Sequence, residues 1–174
     1  MAQIRSRLSA SARMLVLLLL LLSPRFFAAG AHAQLSEYEV KAGFLAKFQD
    51  FVKWPASSGL GVTVGVLGDD PFGVTLDKLV KVKRARHVED LKGCKIIFIA
   101  KSERANLEGI LSSLAGANVL TVGDGESFTR QGGIIEFVIE GGKVRFEINN
   151  GAAGRNGLQI NSQLLKLAIR VVNF

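Results

Sequence analysis

Short apolar runs, separated by segments patterned as helices, restrict the fold more than any other feature of this chain. Residues 62–67 are a β-branched run bounded by Gly61 and Gly68, and Ile96-Ile97-Phe98-Ile99 sits within a second run at 95–100. A third run covers 118–122, and two more flank Gly141-Gly142. Short runs that are apolar throughout are consistent with strands buried on both faces. Between them, residues 37–52 place Val40, Phe44, Leu45, Phe48, Phe51 and Val52 at three- and four-residue spacing, with Lys41, Lys47, Gln49 and Asp50 off the stripe. That spacing predicts an amphipathic helix, ended by Trp54-Pro55. Asp69 or Asp70 is expected to cap the next helix, with Pro71 at its first position and Leu76, Leu79 and Val80 facing inward. Further helices are expected over 102–114 and 162–172, a weak edge strand over 80–88, and a short polar segment over 126–131. Alternation of this kind predicts an α/β fold: a Rossmann-like layered sandwich, mostly parallel, with a C-terminal antiparallel hairpin.

The hairpin can be read residue by residue, because a Gly-Gly pair suits a two-residue turn. Pairing across it sets Ile139 against Val144, Phe137 against Phe146 and Ile135 against Ile148, a consistent apolar face. The other face opposes Glu140 to Lys143, Val138 to Arg145 and Glu136 to Glu147. Like charges directly opposite cost up to about 1 kcal/mol. Either solvent or Arg145 relieves the Glu136–Glu147 pair, or a basic partner or ligand lies over it.

The first 33 residues differ from the rest. Arg5, Arg7 and Arg13 precede an unbroken apolar run over 14–22, and Ala31-His32-Ala33 follows. This is the pattern of a cleaved signal peptide, and the run falls short of the roughly 20 residues that span a bilayer. The expected organisation is a leader over 1–33 and a single α/β domain over 34–174, exported to the periplasm. The formal charge of +7 is then misleading. The leader holds four of the 22 basic residues and no acid, which leaves 18 against 15 and a net +3. An ordinary balance of this kind removes the case for nucleic acid as a partner. The one cysteine, Cys94, rules out an internal disulfide; it reads either as a small buried hydrophobe or as a reactive thiol.

No motif for catalysis stands out, and no metal or cofactor is expected. Residues 65–73 lie where a phosphate loop would, yet lack the glycine spacing, and Asp69 and Asp70 would repel a phosphate. Those aspartates suit a helix dipole or, alternatively, a cation. A small-ligand pocket, if present, is expected at the carboxyl ends of the strands, around Asp69, Asp70, Gly73 and Asp124. Lys81, Lys83, Arg84 and Arg86 form the densest basic stretch. It reads as a solvated, charged edge or as a contact with anionic lipid.

Several blocks together resemble the YfiR family of periplasmic proteins. They include Glu37-Tyr38-Glu39-Val40-Lys41-Ala42 with Phe51-Val52-Lys53-Trp54-Pro55, and Val66-Leu67-Gly68-Asp69-Asp70-Pro71-Phe72-Gly73. Leu91-Lys92-Gly93-Cys94-Lys95-Ile96-Ile97-Phe98-Ile99 and Leu120-Thr121-Val122-Gly123-Asp124 follow. Val144-Arg145-Phe146-Glu147-Ile148-Asn149 and Gly157-Leu158-Gln159-Ile160-Asn161-Ser162 complete the order. The resemblance implies a Rossmann-like fold, frequent homodimers and no catalysis. It also implies a regulator that binds the periplasmic part of an inner-membrane sensor or cyclase, as with the diguanylate cyclase YfiN, and so lowers cyclic-di-GMP and biofilm formation. This chain departs from the family in the short stretch between 79 and 91, in lacking the family's disulfides, and in carrying Glu136 where Asn is more usual. The expected partner surface is Trp54, Phe72, Glu136, Glu147 and Asn149. A periplasmic ligand-binding or transport accessory protein is the competing reading.

Overall fold

The first helix starts where local chemistry tells it to. In a computed structural model that describes residues 36–56 and 63–174, α1 (Glu37–Phe48) opens on a capping box. The Ser36 hydroxyl accepts from the Glu39 N–H, and the Glu39 carboxylate accepts from the Ser36 N–H. Those bonds satisfy donors a helix start leaves open, and they hold the Glu39 carboxyl below its ordinary value. The helix ends at Phe48 rather than at 52. Val52 and Lys53 instead form β1 (Val52–Lys53), antiparallel to β8 (Gln159–Ile160); long-range pairing overrides the helical spacing there. The leader expected over 1–33 lies outside the described residues, as do Gly61 and Val62.

The main sheet has seven strands: β2 (Thr63–Leu67), β3 (Lys81–Ala85), β4 (Ile96–Ile99), β5 (Leu120–Gly123), β6 (Ile135–Glu140), β7 (Lys143–Asn149) and β9 (Arg170–Val172). Their order is β3-β2-β4-β5-β6-β7-β9. The first five run parallel, β6 and β7 are antiparallel, and β9 is parallel to β7. The hairpin register is the expected one at all six pairs, from Glu140–Lys143 to Ile135–Ile148. Gly141 and Gly142 have φ of 56° and 72°, the primed turn that follows the twist of the strands.

Apolar side chains cover both faces of the central strands. On one face Val64, Val66, Ile96, Phe98, Leu120 and Val122 pack with Ala42, Leu45 and Phe48 of α1. On the other, Leu67, Ile97 and Ile99 pack with Leu91, Leu107, Leu114 and Phe128. Burial on both sides is why these strands read as solid apolar runs.

Several expected helices are shorter or displaced. Asp70 and Pro71 lie in a turn, and α2 (Val74–Asp77) begins after Gly73. The Asp70 carboxylate accepts from the Phe72 N–H (2.7 Å), so it closes an Asx turn instead of capping a helix. The segment 102–114 divides into a 3-10 turn (Lys101–Asn106) and α3 (Leu107–Ser113). An additional helix, α4 (Asn150–Arg155), follows β7 and is capped by the Asn149 side chain. The closing segment is α5 (Ser162–Leu167), after which Ala168 turns extended and β9 joins the sheet.

Candidate functional site

In a parallel sheet the strands deliver their following loops to one edge, where ligands usually bind. Here the end of β5 on that edge is covered by the protein itself. Asp124 follows β5 and is buried, and the first turn of α1 reaches over it. Tyr38 donates its hydroxyl to Asp124 Oδ2 (2.9 Å), and Lys41 Nζ donates to the same oxygen (3.0 Å). Lys41 also pairs with Glu37, one turn earlier, and its ammonium lies 4.5 Å from the Tyr38 ring centre. Both charged side chains of the Lys41–Asp124 pair are only 2% exposed. Lys101, after β4, stands 3.8 Å from the same oxygen, while Asp124 Oδ1 is buried without a hydrogen-bond partner. Tyr38 is pushed up to about 12, first by burial and then by the bond to, and charge of, Asp124.

The arrangement is a polar latch between α1 and the carboxyl edge of the sheet. Tyr38 carries it further, meeting Phe72 edge-on at 5.6 Å, and Phe72 meets Phe98 at 4.8 Å. Lys41, expected on the solvent side of the helix, is thus inside. The helical spacing contained the signal: Lys41 precedes Leu45 by four residues and Phe48 by seven, on the buried stripe.

A second polar lock holds the loop between β5 and β6. Glu136 accepts from the Ser127 N–H (3.0 Å), the Thr129 N–H (2.9 Å) and the Thr129 hydroxyl (3.0 Å). Asn149 donates to the Thr129 carbonyl (2.9 Å) and accepts from the Ala152 N–H (2.9 Å). Phe128, in a segment expected to be polar, is buried. Its ring lies so close to Gly123 and Gly133 that a Cβ at either would come within 2.5 and 2.0 Å of it. Glycine is required at both positions by contact, not by turn geometry.

The ligand-pocket candidates do not converge. Asp69 pairs with Arg86 (2.7 Å) and Asp70 with Arg84 (2.6 Å). Arg84 also binds both carboxylate oxygens of Asp77 (2.9 and 2.6 Å) and the Gly73 carbonyl (2.8 Å). This fork raises the guanidinium and lowers the Asp77 carboxyl from their ordinary values. Asp124 belongs instead to the α1 latch. Asp70 and Gly73 are thus tied to one guanidinium, Asp69 and Asp124 to separate partners, and the recess left beside Gly125 and Phe128 is about 20 Å³. A recess of about 780 Å³ opens at the opposite, amino ends of β4 and β5. Leu91, Cys94, Ile97, Leu114 and Val119 line it, and burial pushes the Cys94 thiol up, with Lys83 acting against that. Among the described residues no three His, Cys, Asp or Glu side chains group as a metal site.

The five residues expected to face a partner do not form one exposed patch. Phe72, Glu136 and Asn149 are buried, their polar groups used inside the fold. Glu147 meets Arg170 across β7 and β9 (3.5 Å), while Glu136 turns inward to the Ser127 and Thr129 donors. Trp54 is half-buried against the core, with Lys95 Nζ 5.7 Å from its ring. Of the basic stretch, Arg84 and Arg86 pair with aspartates, and Lys81 and Lys83 stand exposed beside them.

The model of the YfiR/HmsC-like family matches residues 38–169. The chain belongs to the YfiR/HmsC-like family. Membership supports a periplasmic regulatory role in general terms, in a family that is regulatory rather than catalytic. No protein with a curated description matches the chain. Solved structures share its fold at low identity. The ABC domain in complex with L-Trp from Streptococcus pneumonia is 13% identical (TM-score 0.57), over 78% of this chain and 60% of that one. A conserved domain protein from Vibrio cholerae is 16% identical (TM-score 0.54), over 79% of this chain and 61% of that one. The chain thus spans less than two thirds of these relatives' length, and the likeness is one of α/β fold.

Proposed function

We propose that this YfiR/HmsC-like protein is exported to the periplasm, acts there as a homodimer, and restrains an inner-membrane diguanylate cyclase by binding its periplasmic part. The family match over 38–169 carries the reading. The site geometry supports it: the sheet edge above β5 is filled by Tyr38 and Lys41 over Asp124, which favours action through the surface. Trp54 and Glu147 keep enough exposure to touch a partner, and Lys81 and Lys83 enough to meet anionic headgroups. In cells, deletion should raise cyclic-di-GMP, and only a form with an intact leader should restore it. Equal rescue by a leader-defective form would rule out the periplasmic site of action. The 780 Å³ recess at the amino ends of β4 and β5 favours the second reading, a small-ligand-binding accessory protein. Apolar ligands that raise the melting temperature of the wild-type protein, but not of an Ile97→Trp variant that fills the recess, would favour it.

A further inference from the structure

We propose that the recess at the amino ends of β4 and β5 binds a free aliphatic carboxylate, its chain along Ile97 and its anionic end beside Lys92. This rests on the small-ligand reading of the recess, adds the ligand's chemistry, and needs nothing of the cyclase. The recess has a structural cause. On the face of β4 away from α1, α3 stops at Ser113, and a 3-10 turn (Val88–Leu91) faces it across the gap. Between that turn and the loop leaving α3 lies the opening of about 780 Å³, within the range of small-molecule sites. Leu91, Ile97, Leu114 and Val119 give it an aliphatic floor, with the Cys94 thiol among them. None of its lining residues is aromatic. It therefore offers branched methyl groups to a chain and no ring face to a planar ligand.

Charge sets the polarity of the ligand. Lys92 lines the recess, is exposed, and holds no ion pair among the described residues. Lys95 lines it as well, and Lys83 is near enough to draw the Cys94 thiol down against the effect of burial. Past Val88 and Glu89 the opening continues into a second of about 630 Å³, where the charged groups are Glu89 and Glu108. An anion is favoured at the Lys92 end and repelled at the other. A carboxylate at Lys92 leaves its alkyl chain to cover the aliphatic floor and displace water from it. A free acid and the acyl chain of an anionic phospholipid share this chemistry, and the test separates them.

The test uses the purified protein and decanoate kept below its micelle concentration. Cys94 is the reporter, since it is the only cysteine and lines the recess. Near saturation, decanoate should slow maleimide labelling of Cys94 about fivefold or more. In calorimetry it should bind about tenfold more tightly than decanol, and decyltrimethylammonium should bind no better than decanol. Lys92→Glu changes an exposed side chain, so circular dichroism should show an intact fold while the preference for decanoate over decanol is lost. Equal binding of decanol and decanoate, both shielding Cys94, would overturn the carboxylate and leave the small-ligand reading standing. Labelling unmoved by either would overturn both. The proposal also fails if Lys92→Glu keeps the preference, or if phosphatidylglycerol vesicles bind the protein and free decanoate does not.

Discussion

Lys41 and Asp124 meet where water is excluded, so the worth of each depends on the other. Removing one member of a buried ion pair costs about 3–5 kcal/mol, while replacing both with apolar groups is often neutral. Lys41→Met should therefore lose about 3–5 kcal/mol in chemical denaturation, and Lys41→Met with Asp124→Leu should recover most of it. Tyr38 offers an independent probe because it is the only tyrosine. Its folded-state value lies near 12 against an ordinary 10.0. The folded chain thus keeps a proton that the unfolded chain has released between those values. This contribution to stability is complete below pH 10 and is lost as pH rises through about 12. Ultraviolet titration of the phenolate should show the raised midpoint, and Asp124→Asn should lower it. Lys41 was legible only in part: its spacing places it on the buried stripe, but its charge argues for solvent until a buried carboxylate 83 residues away is known.

Among elements, the loop between β5 and β6 depends on one carboxylate from the neighbouring strand. Glu136→Gln turns an acceptor of three bonds into a group that also presents N–H to N–H. It should cost about 1.5–3 kcal/mol in thermal or chemical unfolding. Gly133→Ala should also destabilise by about 1–3 kcal/mol, through overlap with the Phe128 ring, and Phe128→Leu should relieve part of that loss. Glu147→Gln, by contrast, breaks a partly exposed pair with Arg170 and should change stability by less than about 1 kcal/mol. The hairpin and the central strands could be read from sequence because their period and turn residues agree with their burial. The helix α4 could not, since Gly151 and Gly154 weaken its local preference and the Asn149 cap is recognisable only once Asn149 is known to end a strand. The end of 162–172 failed for the opposite reason: its apolar spacing suits a helix, but β7 leaves an edge that the last residues complete.

At the scale of the molecule, α1 covers the carboxyl end of β5, where Asp124 is buried beneath Tyr38 and Lys41. The resemblance read from sequence blocks and the family match agree on what kind of molecule this is. The placement of the candidate site was less legible, because its carboxylates could be seen in sequence while Arg84, Arg86, Lys41 and Tyr38, which occupy them, come together only in the fold. A regulator acting from outside the inner membrane should work when supplied from outside. The most direct measurement is cyclic-di-GMP in spheroplasts of a strain lacking this protein, before and after the purified protein is added to the medium. The account predicts a fall toward the wild-type level that scales with the amount added. An unchanged level, with the added protein folded and bound to the spheroplast surface, would contradict it.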